Sequence, residues 1–73
     1  MLKKITDHLY CDIEIITTCK VGDGGLSDTV FIMGGDPGLL GVVKYKSNQD
    51  ALDGLKRIVN IINSYKNQKL QVL

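Results

Sequence analysis

The chain has no tryptophan, one phenylalanine, one proline, one histidine and two cysteines among its 73 residues. With Tyr10, Phe31, Tyr45 and Tyr65 as the only aromatics, any core must rest on Ile, Leu and Val. Two cysteines do not make a disulfide scaffold. A zinc site needs about four ligands, and His8, Cys11 and Cys19 are the only soft ones in the chain. No apolar run approaches the roughly 20 residues of a membrane helix, and none follows Lys3 and Lys4, so neither a membrane span nor a secretory signal is expected. Reduced thiols in a cytoplasmic protein follow as the expectation. An excess of one charge is lacking too. Nine basic and eight acidic side chains leave +1, too little by itself to imply a nucleic acid or a membrane surface.

What is present is a globular balance, 44% hydrophobic and 23% charged, suited to a single domain over residues 1–73. A chain this short buries only about 60% of its unfolded surface, so a lone monomeric core is marginal. The charges are segregated. Residues 7–36 carry six acids against Lys20, and residues 37–73 carry six bases against Asp50 and Asp53.

Periodicity predicts an α+β fold: a three-stranded antiparallel meander followed by one long amphipathic helix, with a short N-terminal helix or turn. Leu2, Ile5 and Leu9 suit that first helical turn. From Tyr10 the period becomes two, with Cys11, Ile13, Ile15, Thr17, Cys19 and Val21 on one face, which predicts one long strand over 10–21. Residues 22–28 read as a loop, and 29–34 as a short strand apolar on both faces. Gly34-Gly35-Asp36-Pro37-Gly38 suits a type II turn, since Pro pre-sets φ and Gly tolerates a positive one. A third strand covers 40–46. Ser47, followed three residues later by Asp50, opens a helix over 48–66 as a capping-box variant. Its apolar stripe is Ala51, Leu52, Leu55, Ile58, Val59, Ile62 and Tyr65, and Leu70 and Val72 suggest a last strand or extension.

Few motifs carry chemistry. The glycine-rich loops at 22–25 and 34–38 are followed by strands rather than by the helix N-terminus that phosphate cradles need, and Asp23, Asp28 and Asp36 would repel an anion. Their spacing matches no EF-hand loop. Cys11 and Cys19, eight residues apart on a straight strand, stand roughly 26 Å from each other. They read as core residues. Nothing signals the thiolate environment that Cys–His catalysis requires, so no catalytic residue, metal or cofactor is assigned and the chain is read as a non-enzyme.

The order helix, three strands, helix resembles the double-stranded RNA-binding domain in topology and length. That family grips phosphates with a lysine cluster at the start of its second helix, where this chain has Ser47, Asn48, Gln49 and Asp50. No site residue is therefore carried over. Lys44, Lys46, Lys56 and Arg57 remain as a weaker basic group and define a nucleic-acid-binding alternative.

The leading expectation is a protein-interaction module: an inhibitor, adaptor or regulatory subunit that associates with itself and with a protein partner. Phage-encoded host modulators are the analogy. The reason is the central strand, whose second apolar face needs cover. Ile16, Phe31, Met33 and Val42 are the candidate interface there, with Gly54 and Ile61 on the helix flank. A third possibility is an oligomer that sequesters a small ligand in its glycine-rich loops.

Overall fold

The computed structural model describes residues 2–35, 38–66 and 71–72. It is an α+β fold in which a helix lies across an antiparallel meander, with a two-stranded hairpin beside it. The strands are β1 (Leu2–Thr6), β2 (Leu9–Asp12), β3 (Thr18–Val21), β4 (Thr29–Gly34), β5 (Gly38–Lys44) and β6 (Gln71–Val72). The helix α1 spans Asn48–Lys66. β1 pairs with β2, and the main sheet runs β5-β4-β3-β6, antiparallel except where β6 joins β3 in parallel. The turn expected through Asp36 and Pro37, and the extension expected at Leu70, lie outside the described residues.

The expected N-terminal helix or turn is the hairpin β1–β2 instead. Nine residues are too few to sustain a helix that tertiary contacts do not favour. The segment Thr6-Asp7-His8-Leu9 turns back, and the Thr6 hydroxyl accepts a bond from the His8 N–H at 3.3 Å. A bulge between Lys4 and Thr6 lets Ile5 turn into the core, where it is 3% exposed. The Tyr65 hydroxyl donates to the Lys4 carbonyl at 3.3 Å and ties the hairpin to the far end of α1. The helix-first order of the double-stranded RNA-binding domain is therefore not reproduced.

The single strand expected over 10–21 is also corrected. It divides into β2, a one-turn 3-10 helix at Ile13–Ile15, and β3, which lie in two different sheets. Asp12 starts the turn by accepting a bond from the Glu14 N–H at 3.1 Å. Ile13 and Ile16, three apart, both point inward, at 5% and 1% exposed. A strand would send them to opposite faces, whereas three residues per turn puts them on one side. Gly34 makes the crossing possible. A Cβ there would overlap the Ile15 carbonyl oxygen and lie 2.8 and 2.9 Å from Ile15 C and Ile16 Cα.

β4 and α1 match the expected spans, whereas the strand expected over 40–46 is shifted to 38–44, because Gly38 pairs with Gly34 and the ladder ends where Lys44 meets Thr29. The Ser47 hydroxyl accepts from the Asp50 N–H at 3.1 Å, and its carbonyl from the Ala51 N–H at 3.0 Å, so the expected cap forms. The core lies between α1 and one sheet face. Cys19, Val30 and Ile32 are fully buried beneath Ala51, Leu55, Ile58 and Ile62, while Ile5, Cys11 and Ile13 close one end. Within the expected helix stripe, Leu52 and Tyr65 stay exposed at the margins.

Candidate functional site

Alternation along β4 decides what the sheet offers outward. Val30 and Ile32 face α1, so Phe31 and Met33 face away. Register then fixes their neighbours: Lys20 and Val42 flank Phe31, and Thr18 and Leu39 flank Met33. The side chains of Leu26, Leu39 and Val42 are 54%, 50% and 46% exposed. A shallow groove of about 400 Å³ runs along this face between Lys20, Gly22, Asp23, Leu26, Phe31, Met33 and Leu39. Gly22 keeps its floor open, since a Cβ there would meet the Phe31 ring and Leu26 at 2.7–2.8 Å. Among the described residues only the 3-10 turn Gly24–Leu26 leans over one end of this face. The hairpin covers the helix side instead, where Leu9 leans over Gly41 and Cys11 Sγ lies 3.5 Å from that glycine's Cβ position.

Of the six expected interface residues, Phe31, Met33 and Val42 come together on this open face. Ile16 does not. It is a core residue beneath α1, with its carbonyl taking a bond from the Lys66 ammonium. Its position in the 3-10 turn, rather than on a strand, reverses the side it faces. Gly54 is buried as well, and the close neighbour it admits is the Tyr45 ring of the same chain, which a Cβ would overlap. Ile61 is 36% exposed and borders a small groove between hairpin and helix, away from the sheet's open face. Leu26 and Leu39 were missed by periodicity. Leu26 sits in a 3-10 turn over the groove, and Leu39 is turned outward by the bulge at Leu40.

The basic group divides. Lys44, Lys46 and Arg57 line one open cleft of about 560 Å³ with Tyr45 and Asp50, where the end of β5 passes the first turns of α1. Lys56 lies elsewhere, in a groove with Leu52 and Val59. Burial pushes the Tyr45 phenol above its ordinary pKa, and the Arg57 guanidinium beside it pulls the other way.

Cys11 and Cys19 share the core rather than standing apart, because the chain bends at the 3-10 turn. Burial pushes the Cys19 thiol up to about 11, the neighbouring Cys11 adds to this, and Lys66 opposes it. Burial raises Cys11 as well. Neutral thiols in an apolar core are poor nucleophiles and poor metal ligands. Among the described residues, no three His, Cys, Asp or Glu side chains gather as a metal would require. Gly24, Gly35 and Gly38 have positive φ, so these three loop glycines serve turn geometry.

The fold defines a small α+β protein with one covered and one open sheet face. Comparison with protein-family models, with curated proteins and with solved structures gives no match. Among the described residues no helix is long and apolar enough to cross a membrane.

Proposed function

We propose that this chain is a small non-enzymatic interaction module that pairs with a second copy of itself, face to face, through the open side of its sheet. As an inhibitor, adaptor or regulatory subunit it would meet its protein target on the surfaces left outside that pair. The observation that carries this reading is the apolar face of Phe31, Met33, Leu39 and Val42, with Leu26 at its edge, which α1 and the hairpin leave uncovered. A second copy suits it because the groove holds both Lys20 and Asp23. A two-fold axis passing between them would set each lysine opposite the partner's aspartate, the self-complementarity that an isologous interface needs. A reducing cytoplasm suits the two core thiols.

Magnitudes set the strength. Full burial of a large apolar side chain contributes roughly 1.5–3 kcal/mol, and about half of that is still to be gained at Leu26, Leu39 and Val42, and less at the partly buried Phe31 and Met33. Both copies together gain roughly 5–10 kcal/mol, within the estimated cost of association, about 4–15 kcal/mol. Three strands about 4.8 Å apart also give a narrow face, so the area falls at the small end of specific interfaces. The pair is therefore a weak, reversible dimer rather than an obligate one.

Sedimentation velocity from about 5 to 500 μM tests this. The expected result is a monomer–dimer shift across that range, a melting temperature that falls on dilution, and a folded monomer at every concentration for Phe31→Asp. A wild-type monomer at 500 μM with an unchanged melting temperature overturns it. A dimer that survives Phe31→Asp but is lost in Ile61→Asp overturns it equally.

A further inference from the structure

We propose that the cleft formed by Lys44, Lys46 and Arg57 binds the phosphate backbone of a nucleic acid, independently of the open sheet face. Three cations converge there, Lys44 from the end of β5, Lys46 from the connection that follows it and Arg57 from the third turn of α1. Among the described residues none of the three forms an ion pair, whereas Lys4 pairs with Asp7 at 3.4 Å on the hairpin. Converging like charges repel one another, so an arrangement that leaves them unneutralised favours a polyanion from outside.

The chemistry of the cleft selects among anions. Arg57 offers a planar fork that matches phosphate, and the two lysines add mobile point charges. Tyr45 is held against Gly54 and is not free to stack on a base. The cleft is wide and open, at about 560 Å³, and every lining side chain except Tyr45 is charged. An acidic protein would need an apolar anchor at the centre of its contact, and the one aromatic side chain of the cleft, Tyr45, is already packed against Gly54. The chemistry that remains is a repeating phosphodiester, read without sequence preference. Asp50 lines the same cleft and opposes binding, so the affinity is modest, in the range of about 10⁻⁴–10⁻⁶ M typical of non-specific contacts.

Counterion release makes the test independent of absolute affinity. Three neutralised phosphates on a single strand give a slope of about −2 in log K against log salt, so binding weakens about 16-fold between 50 and 200 mM NaCl. The probe is a fluorescein-labelled 20-nucleotide single-stranded RNA followed by anisotropy. In Arg57→Gln that factor should fall to about 7-fold, as two cations remain, and Asp50→Asn should tighten binding. Lys56→Gln, on the other groove, should leave both affinity and slope unchanged. A slope unaltered in Arg57→Gln, or altered equally in Lys56→Gln, overturns the assignment. So does poly-glutamate of equal charge competing as well as unlabelled RNA, or inorganic phosphate displacing RNA beyond the effect of its ionic strength. Phe31→Asp in the same assay should still bind, which separates failure of this site from failure of the dimer.

Discussion

Replacing Gly34 by alanine adds one methyl group at the place where the chain crosses between its two sheets. Gly34 is buried at the end of β4, and its φ is not among the positive ones, so the backbone itself accepts alanine. By conformational entropy alone the change would stabilise the fold by about 0.4–1 kcal/mol. Contact decides otherwise. The new Cβ would overlap the Ile15 carbonyl and lie 2.8 and 2.9 Å from two further backbone atoms, where ordinary contact begins at 3.4 Å. No side chain can swing aside, so the 3-10 turn must retreat. That strains the bond from the Thr17 N–H to the Met33 carbonyl, now 2.9 Å, and lifts Ile13 and Ile16 from the core. Overpacking costs about 1–3 kcal/mol and a compromised hydrogen bond about 1 more. The net expectation is a loss of about 1.5–3 kcal/mol, or a melting temperature lower by roughly 6–20 °C in a domain of this size. Gly25→Ala is the control, because nothing lies within 4 Å of its Cβ position and its φ is ordinary. Urea unfolding followed by circular dichroism, at one protein concentration for all variants, measures both. Stability of Gly34→Ala within about 0.5 kcal/mol of wild type would refute the crossing of the 3-10 turn against β4.

Ile16 and Val42 separate core from surface: Ile16→Ala should cost about 2–4 kcal/mol in urea unfolding, while Val42→Asp leaves the monomer folded and weakens self-association in sedimentation. Equal effects of the two on association would place Ile16 at the interface after all. The thiols give a pH dependence. The folded state holds Cys19 near 11, against 9.0 for an ordinary thiol, and raises Cys11 and Tyr45 in the same direction. Folding therefore favours the protonated forms, and that contribution is complete below pH 9 and lost as pH climbs toward 11. Urea midpoints at pH 8, 9.5 and 10.5 should fall in sequence and fall less steeply in Cys19→Ala. Constant or rising midpoints in the wild type would contradict the burial of these groups.

The helix was legible because its signals agree over nineteen residues. A serine cap, an early acid and a sustained apolar stripe all give the same span, and the packing beneath it has no reason to override them. β4 was legible for a related reason, as five β-favouring residues lie between glycine-rich segments. The stretch 10–21 misleads because Cys11, Ile13 and Cys19 satisfy a period of two although the chain between them turns. Two periods fit Ile13-Glu14-Ile15-Ile16 equally well: alternation takes Ile13 with Ile15, and a turn takes Ile13 with Ile16. Only a tertiary fact decides, the space that Gly34 leaves for the Ile15 carbonyl, and it lies nineteen positions downstream. The glycine was visible in the sequence. What it faced was not.

The candidate site shows the same limit from the other side. Alternation in Thr29–Met33 says that two apolar faces exist, but it cannot say which of them the rest of the chain covers. That choice depends on where the hairpin docks, and the hairpin itself was hidden by the helix-like spacing of Leu2, Ile5 and Leu9. Once Leu9 settles over Gly41 and Ile5 enters the core, the N-terminal segment lies on the helix side and cannot also shield Phe31 and Met33. The two faces then differ in kind. One is filled to closure by β-branched side chains and α1, and the other sets a partly buried aromatic and methionine beside two half-exposed leucines, around a lysine and an aspartate. In a chain whose core is so small, leaving those side chains in water forgoes stabilisation comparable to the marginal stability of the fold. That deficit, rather than any motif, is what supports the proposed association.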